Sequence, residues 1–365
     1  MSFSGSYLPS DVDFLLEIKD FQEISILEKE RLIQTGEKHY SEVLTEEMDF
    51  PDEYLDLYGK IFDKYIHHVA SDVYALSKYI STIHKPVIIS LARAGTPYGV
   101  LIKRTLLNCF DVEASHYSVS IIRDKGIDYN ALNHIVSLHG SDATFLFVDG
   151  WTGKGAIADQ LEKSMLIYSP TVDYKFIVLS DIAGVADVAA RRDDYIIPSC
   201  LLNSTISGLI SRTLINSEPT AFHRAKFYNQ YQHKDLSLKY VDRVDEYITE
   251  HALEFKHLPV HFFNQASKDI YVRFIDSMLG KYHISNRNYF KPGLGETTRM
   301  LIRRNPDFII INEHYMNSLD HILLLCKIKN VKILIQNDMP VPCVGIINKF
   351  QSLSLIHISE PTRRS

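Results

Sequence analysis

Between residues 86 and 181 the chain alternates short apolar runs with stretches of helical periodicity. The runs are PVIISLA (86–92), HYSVSII (116–122), TFLFVD (144–149) and KFIVLSD (175–181). GVLIKRTLLNCF and AIADQLEKSML lie in the gaps, and in the second Ile157, Leu161 and Met165 share one helical face. Strands alternating with helices imply a parallel sheet covered on both faces. Ligands of such sheets bind beyond the carboxyl ends of the strands. The expected fold class is therefore α/β, a parallel sheet with helices on both faces.

The rest of the chain is read around that sheet. LLEIKDF, EKERLIQTG and YLDLYGKIFDKYIHHVASDVYALSKYI carry helical spacing, which predicts an N-terminal helical extension over 1–80. The sheet unit is placed at 81–245 and a helical connector at 246–284. A small C-terminal α/β/α unit follows at 285–353, with FIII and VKILI as strands and SLDHILLLCKIKN as a helix. Residues 354–365 continue no pattern and read as a non-native tail, with the natural C-terminus lost. The chain has 365 residues, enough for two or three domains. A net charge of −6 argues against a chain that coats nucleic acid along its whole surface, but leaves room for a local basic patch. No run reaches the roughly 18 apolar residues of a membrane span, and no basic segment precedes an apolar run at the N-terminus. Cys109, Cys200, Cys326 and Cys343 lie far apart without a CxxC pair, so neither a zinc knuckle nor a disulfide framework is indicated. The expected compartment is a reducing cytosol.

Two loops leave strand ends with unusual chemistry, LARAGTPYG (91–99) and VDGWTGKG (148–155). The second is not a Walker loop, because Gly155 follows Gly153-Lys154 where Ser or Thr is required. Its glycines would let backbone N–H groups turn toward one anion, and a helix starting near Ala156 would add its positive end. Thr152 offers a hydroxyl and Asp149 sits at the strand tip. In the first loop Arg93 supplies a planar fork for phosphate oxygens, and Gly95 permits close backbone approach. The plain alternative is a pair of tight strand–helix turns that bind nothing. His39, Tyr40 and Glu42 are likewise clustered, with an ordinary helix surface as the plain reading.

These loops resemble those of type I phosphoribosyltransferases, which use phosphoribosyl pyrophosphate (PRPP) and Mg²⁺. The resemblance implies Asp149 as the ribose acid, with Thr152, Gly153, Lys154 and Gly155 as the 5′-phosphate loop. It implies Arg93, Ala94, Gly95 and Thr96 as the pyrophosphate loop. IIRDKGIDYN (121–130) would be a lid whose Arg123 and Lys125 reach the pyrophosphate, making Asp149, Arg93 and Lys125 the catalytic set. Magnesium would arrive with PRPP, not through direct protein ligands. The family's second acid is Gly150 here. SGSYLP (4–9), RLIQTGEKHYSE (31–42), VDGWTGKGAI (148–157), LNSTISGLISRT (202–213) and FHRAKFY (222–228) resemble a bacterial group described as StiP-like or as phosphoribosyltransferase–Pelota fusions. That resemblance covers residues 4–350. It implies a tellurium-resistance-type stress pathway and synthesis of a nucleoside- or nucleotide-derived metabolite. Asn203, Ser207, Arg212, His223 and Lys226 are candidates for an acceptor pocket, the acceptor being unknown. A homodimer is one expected form.

The C-terminal stretch KPGLGETTRMLIRR (291–304) is basic, and a solvated helix face is its plain reading. It resembles the Gly-x-x-Glu-x-Thr-Lys/Arg signature of Pelota and kink-turn-binding proteins. This implies RNA binding through Lys291, Gly293, Gly295, Glu296, Thr298, Arg299 and Arg303. Two further readings stay open: a PRPP or nucleotide sensor that has lost catalysis and presents RNA-binding residues, and a cysteine protease using Cys200 with His223.

Overall fold

The computed structural model describes residues 3–169 and 171–349. The N-terminal segment holds β1 (Asp13–Phe14), β2 (Glu17–Ile18), β3 (Glu23–Ile24), α1 (Ile26–Gln34), β4 (Leu44–Thr45) and α2 (Asp52–Ile80). The expected helix over LLEIKDF is thus corrected to extended chain. Phe14, Leu15 and Leu16 are all buried, with Phe14 and Leu16 in one core and Leu15 in another. Consecutive apolar residues facing opposite ways are what a strand produces. β1 runs parallel to a central strand, and the Leu15 amide donates to the Ser118 carbonyl at 3.1 Å. The 29-residue α2 is the long amphipathic helix that the spacing predicts.

The alternating region becomes β5 (Pro86–Ala92), α3 (Thr96–Phe110), β6 (Ser115–Ile122), β7 (Gly126–Ile127), α4 (Tyr129–His139), β8 (Thr144–Thr152), α5 (Ala156–Tyr168), β9 (Tyr174–Asp181) and β10 (Val188–Arg191). After β11 (Arg224–Ala225), which pairs with β2, come α6 (Ser237–Phe255), β12 (His261–Phe262) and α7 (Gln265–Lys281). The sheet order is β1-β6-β5-β8-β9-β10-β12. It is parallel except for β12, antiparallel on β10, and the short β7, antiparallel on β6. The expected mostly parallel α/β sheet is what forms.

Alternation along the strands divides two cores. Ile88, Leu146, Val148, Ile177 and Leu179 face α2, α3 and α6. Val87, Ile89, Leu91, Phe145, Phe147, Phe176 and Val178 face the opposite layer, which includes α4 and α5. Strand order reverses at β5: β6 lies on one side and β8 on the other. The crevice beyond the carboxyl ends of β5 and β8 is therefore where the topology invites a ligand.

The C-terminal unit contains β13 (Phe290–Pro292), α8 (Gly293–Arg303), β14 (Pro306–Ile311), α9 (Asp320–Lys329), β15 (Lys332–Ile335) and β16 (Cys343–Ile347), in the sheet order β13-β16-β14-β15. The connector is shared: α6 packs on α2 and α3, whereas Tyr271, Ile275 and Met278 of α7 join the C-terminal core. The expected tail at 354–365 lies outside the described residues.

Candidate functional site

β8 runs through Thr152, three residues past the expected strand end, so the loop is only Gly153-Lys154-Gly155, which enters α5 through Gly155, whose φ of +84° suits glycine. The N-terminal part of α8 lies directly over this loop. A Cβ on Gly153 would stand 2.3 Å from Cγ of Glu296, and one on Gly295 would stand 2.3 Å from Nε1 of Trp151. Each glycine makes room for a side chain from the other unit. The loop glycines therefore serve domain docking, a role the sequence reading did not give them. Arg299 stacks on Trp151 with 4.5 Å from its guanidinium to the ring centroid. The Leu294 amide donates to Asp194 at 2.9 Å, tying α8 to the sheet unit.

These contacts enclose a cleft of about 340 Å³ at the switch point. From the sheet unit it is lined by Lys29, Tyr40, Arg93, Arg123, Asp149, Lys154 and Arg212. Lys291, Glu296, Arg299, Arg303 and Arg304 line it from the C-terminal unit. Nine cationic side chains thus meet two carboxylates. Several have fixed partners. Arg93 pairs with Glu47 at 2.6 Å and donates to the Ile210 carbonyl at 2.6 Å. Arg303 donates to Asn203 at 2.5 Å, and Arg304 pairs with Glu30. Yet Nε of Arg93, Arg212 and Arg299 and Nη2 of Arg303 are buried without a hydrogen-bond partner.

Crowding of like charge shows in the ionisation. Burial, with Lys291 next, pushes Lys154 down to about 6. Burial and Arg93 hold Arg303 well below its usual range. Burial pushes Asp149 up to about 6 against the pull of Arg299 and the Gly150 amide. Burial would raise Glu296 too, but Lys291, Lys154 and Arg299 outweigh it and hold it low.

The expected site residues divide between this cleft and its frame. Arg93, Ala94, Arg123, Asp149, Thr152, Gly153, Lys154 and Gly155 line the cleft, as does Arg212 from the expected acceptor set. Gly95 packs on β8, where a Cβ would meet the Val148 carbonyl oxygen at 2.1 Å, and Thr96 is hydrogen-bonded to Ser118. The Thr152 hydroxyl donates to Asp181 at 2.7 Å. Lys125 is exposed and does not line the cleft. Asn203 stands behind Arg93 and Arg303, and Ser207 donates to its carbonyl. Lys226 pairs with Glu23. A second acid at position 150 is excluded by space: a Cβ there would sit 2.8 Å from the ring of Tyr98, which is fully buried.

The residues expected to face RNA are turned inward. Lys291, Glu296, Arg299 and Arg303 line the cleft. Gly293 packs against Asp194 and Gly295 against Trp151, while Thr298 is buried against His321. Sequence reasoning missed Lys29, Trp151, Asp194 and Arg304, and gave Tyr40 only as part of a cluster with a helix surface as its plain reading. Trp151, the chain's single tryptophan, and the HYSE cluster around Tyr40 were the available signals.

No cysteine fits a ready nucleophile. Burial pushes the Cys200 and Cys326 thiols up to about 12, Cys343 well above its usual value, and Cys109 upward. Cys200 is fully buried. His223 is held by Ser120 through its ring at 2.8 Å and by Asp128 through its amide.

Fold and cleft define a two-unit α/β protein with a basic site where the units meet. The family described as "Tellurite-like stress resistance cysteine protease StiP" matches residues 5–245, and the Pelota RNA-binding domain matches residues 270–349. "Cysteine protease StiP" of Acinetobacter baylyi is 35% identical, the match covering 85% of each chain. The chain belongs to the StiP family and carries a Pelota domain. A purine phosphoribosyltransferase from Pyrococcus horikoshii is 18% identical, covering 30% of this chain and 69% of its own, with a TM-score of 0.22. That likeness carries no argument. The expected PRPP-dependent transferase is accordingly corrected: family and relative bear the name of a cysteine protease, and nothing supports PRPP. The magnesium expectation rested on PRPP alone.

Proposed function

We propose that this chain is a stress-resistance enzyme of the StiP family whose working site is the cleft between the sheet unit and α8, and that it acts on a phosphate-bearing ligand. One observation carries this reading: nine cations line the cleft against two carboxylates, and four of them, Arg93, Arg212, Arg299 and Arg303, each keep a buried guanidinium nitrogen without a hydrogen-bond partner. An unpaired buried donor costs about 1–3 kcal/mol, more when it is charged. Tetrahedral oxyanions meet several such donors at once, and arginine forks match their geometry. Asp149, near the end of β8, and Lys154, both shifted to about 6, are groups in the cleft suited to moving a proton near neutrality. The first test is thermal unfolding in inorganic phosphate against chloride at equal ionic strength. Phosphate raises the midpoint by several degrees in the wild type and not in Arg303→Met. Equal midpoints in the two salts would refute the reading.

Proteolysis, the activity in the relative's name, is a second reading supported by family membership. Cys200 is its candidate, because Arg299 and Thr298 both oppose the effect of burial on its thiol. It requires α8 to lift so that substrate reaches the thiol. A wild type without peptidase activity would remove this reading, and peptidase activity that survives Cys200→Ser would remove Cys200 as its nucleophile.

A further inference from the structure

A second cavity of about 340 Å³ opens beside the cleft and shares Arg123, Lys154 and Ala156 with it. The first turn of α5 stands between the two. Asn288 forms the partition, accepting from Arg123 at 3.1 Å and from Lys154 at 3.4 Å, while Lys154 also donates to the Arg287 carbonyl at 2.8 Å. Beyond the partition the wall adds Lys163, Lys268 and Arg287 to the two shared cations, opposed by Asp124 and Asp159. Tyr271 also lines this cavity. It is 5% exposed, and its hydroxyl has no hydrogen-bond partner. A basic cavity lined by a tyrosine whose buried hydroxyl lacks a partner, and adjoining the cleft through two shared cations, is built to receive polar ligand atoms.

We propose that this cavity is a second binding site, which seats the distal phosphates of an extended ligand whose first phosphate lies in the cleft. The ligand class is a linear oligophosphate or a small molecule carrying one. Lys154 and Arg123 are the shared cations, so a phosphate chain passing them would be neutralised at every step along its path. The reading rests on the anion cleft proposed above.

The experiment compares calorimetric titrations of inorganic phosphate and of a linear polyphosphate about ten phosphates long. The chains are the wild type, Lys268→Met, Tyr271→Phe, and Lys239→Met as an exposed control away from both cavities. The wild type binds polyphosphate at least tenfold more tightly than phosphate. Lys268→Met and Tyr271→Phe each lower polyphosphate affinity at least threefold while phosphate affinity stays within twofold, and Lys239→Met changes neither. Polyphosphate affinity unchanged in both cavity variants, with phosphate still bound, would overturn the second site and leave the cleft standing. Failure of the wild type to bind either ligand would overturn both.

Discussion

At the scale of single residues, the cleft is governed by charges held in uncomfortable states. Burial brings Lys154 down and Asp149 up to about 6, the same cause acting in opposite directions. Burial and neighbouring cations disfavour the charged lysine, and burial disfavours the charged carboxylate. An entering anion favours protonation of both. Binding of sulfate, a tetrahedral anion with no proton of its own to lose in this range, therefore takes up protons near and above pH 6, and its affinity falls as pH rises from about 5.5 to about 8. Titrations in buffers of different ionisation enthalpy measure that uptake, and Asp149→Asn reduces it. For stability the sign follows from linkage. Asp149 has a folded value above its unfolded one, so its contribution is fully present below about 4 and is lost as pH rises through about 6.

At the scale of elements, α8 explains what the loop glycines are for. Gly295→Val places methyl groups against the Trp151 indole, and overpacking of this kind typically costs about 1–3 kcal/mol. The predicted outcome is a docking defect with two readouts: phosphate affinity falls, and binding of a structured RNA to the full chain strengthens about tenfold as the α8 cations come free. A variant that loses phosphate binding without gaining RNA binding would show that this face of α8 is not an RNA surface. The same element shows what the sequence could and could not reveal. The parallel sheet was legible because β5, β6, β8 and β9 are almost wholly buried and separated by periodic helices. Arg93 and Lys154 were legible because they follow strand ends, and Asp149 because it interrupts an apolar strand near its end. Two-residue strands such as β1 leave too short a pattern to separate from a helix. The inward turn of α8 was illegible for a different reason. It depends on contacts between residues 100 or more positions apart, and a basic helix looks the same in sequence whether it faces solvent or a partner domain.

At the scale of the whole molecule, the central feature is that neither unit owns the site. The sheet unit supplies Arg93, Arg123, Lys154 and Arg212; the C-terminal unit supplies Lys291, Arg299, Arg303 and Arg304. Docking brings these like charges together, which opposes closure, while apolar packing and the Asp194 clasp favour it. Burial pushes Asp194 up to about 7 while the Leu294 amide favours its charged form, so as pH rises through that value the clasp's own hydrogen bond strengthens but the folded state as a whole loses Asp194's contribution. An anion in the cleft would lower the repulsion and hold the units closed, coupling ligand to arrangement through mass action. No helix among the described residues is long and apolar enough to cross a membrane. The most direct measurement is a calorimetric titration of inorganic phosphate into the wild type, Lys154→Met and Arg299→Met at one salt concentration. The account predicts saturable one-site binding that weakens at least tenfold, about 1.4 kcal/mol, in both variants. Binding that ignores Arg299, or that fails to saturate in the wild type, would contradict a site built by the two units together.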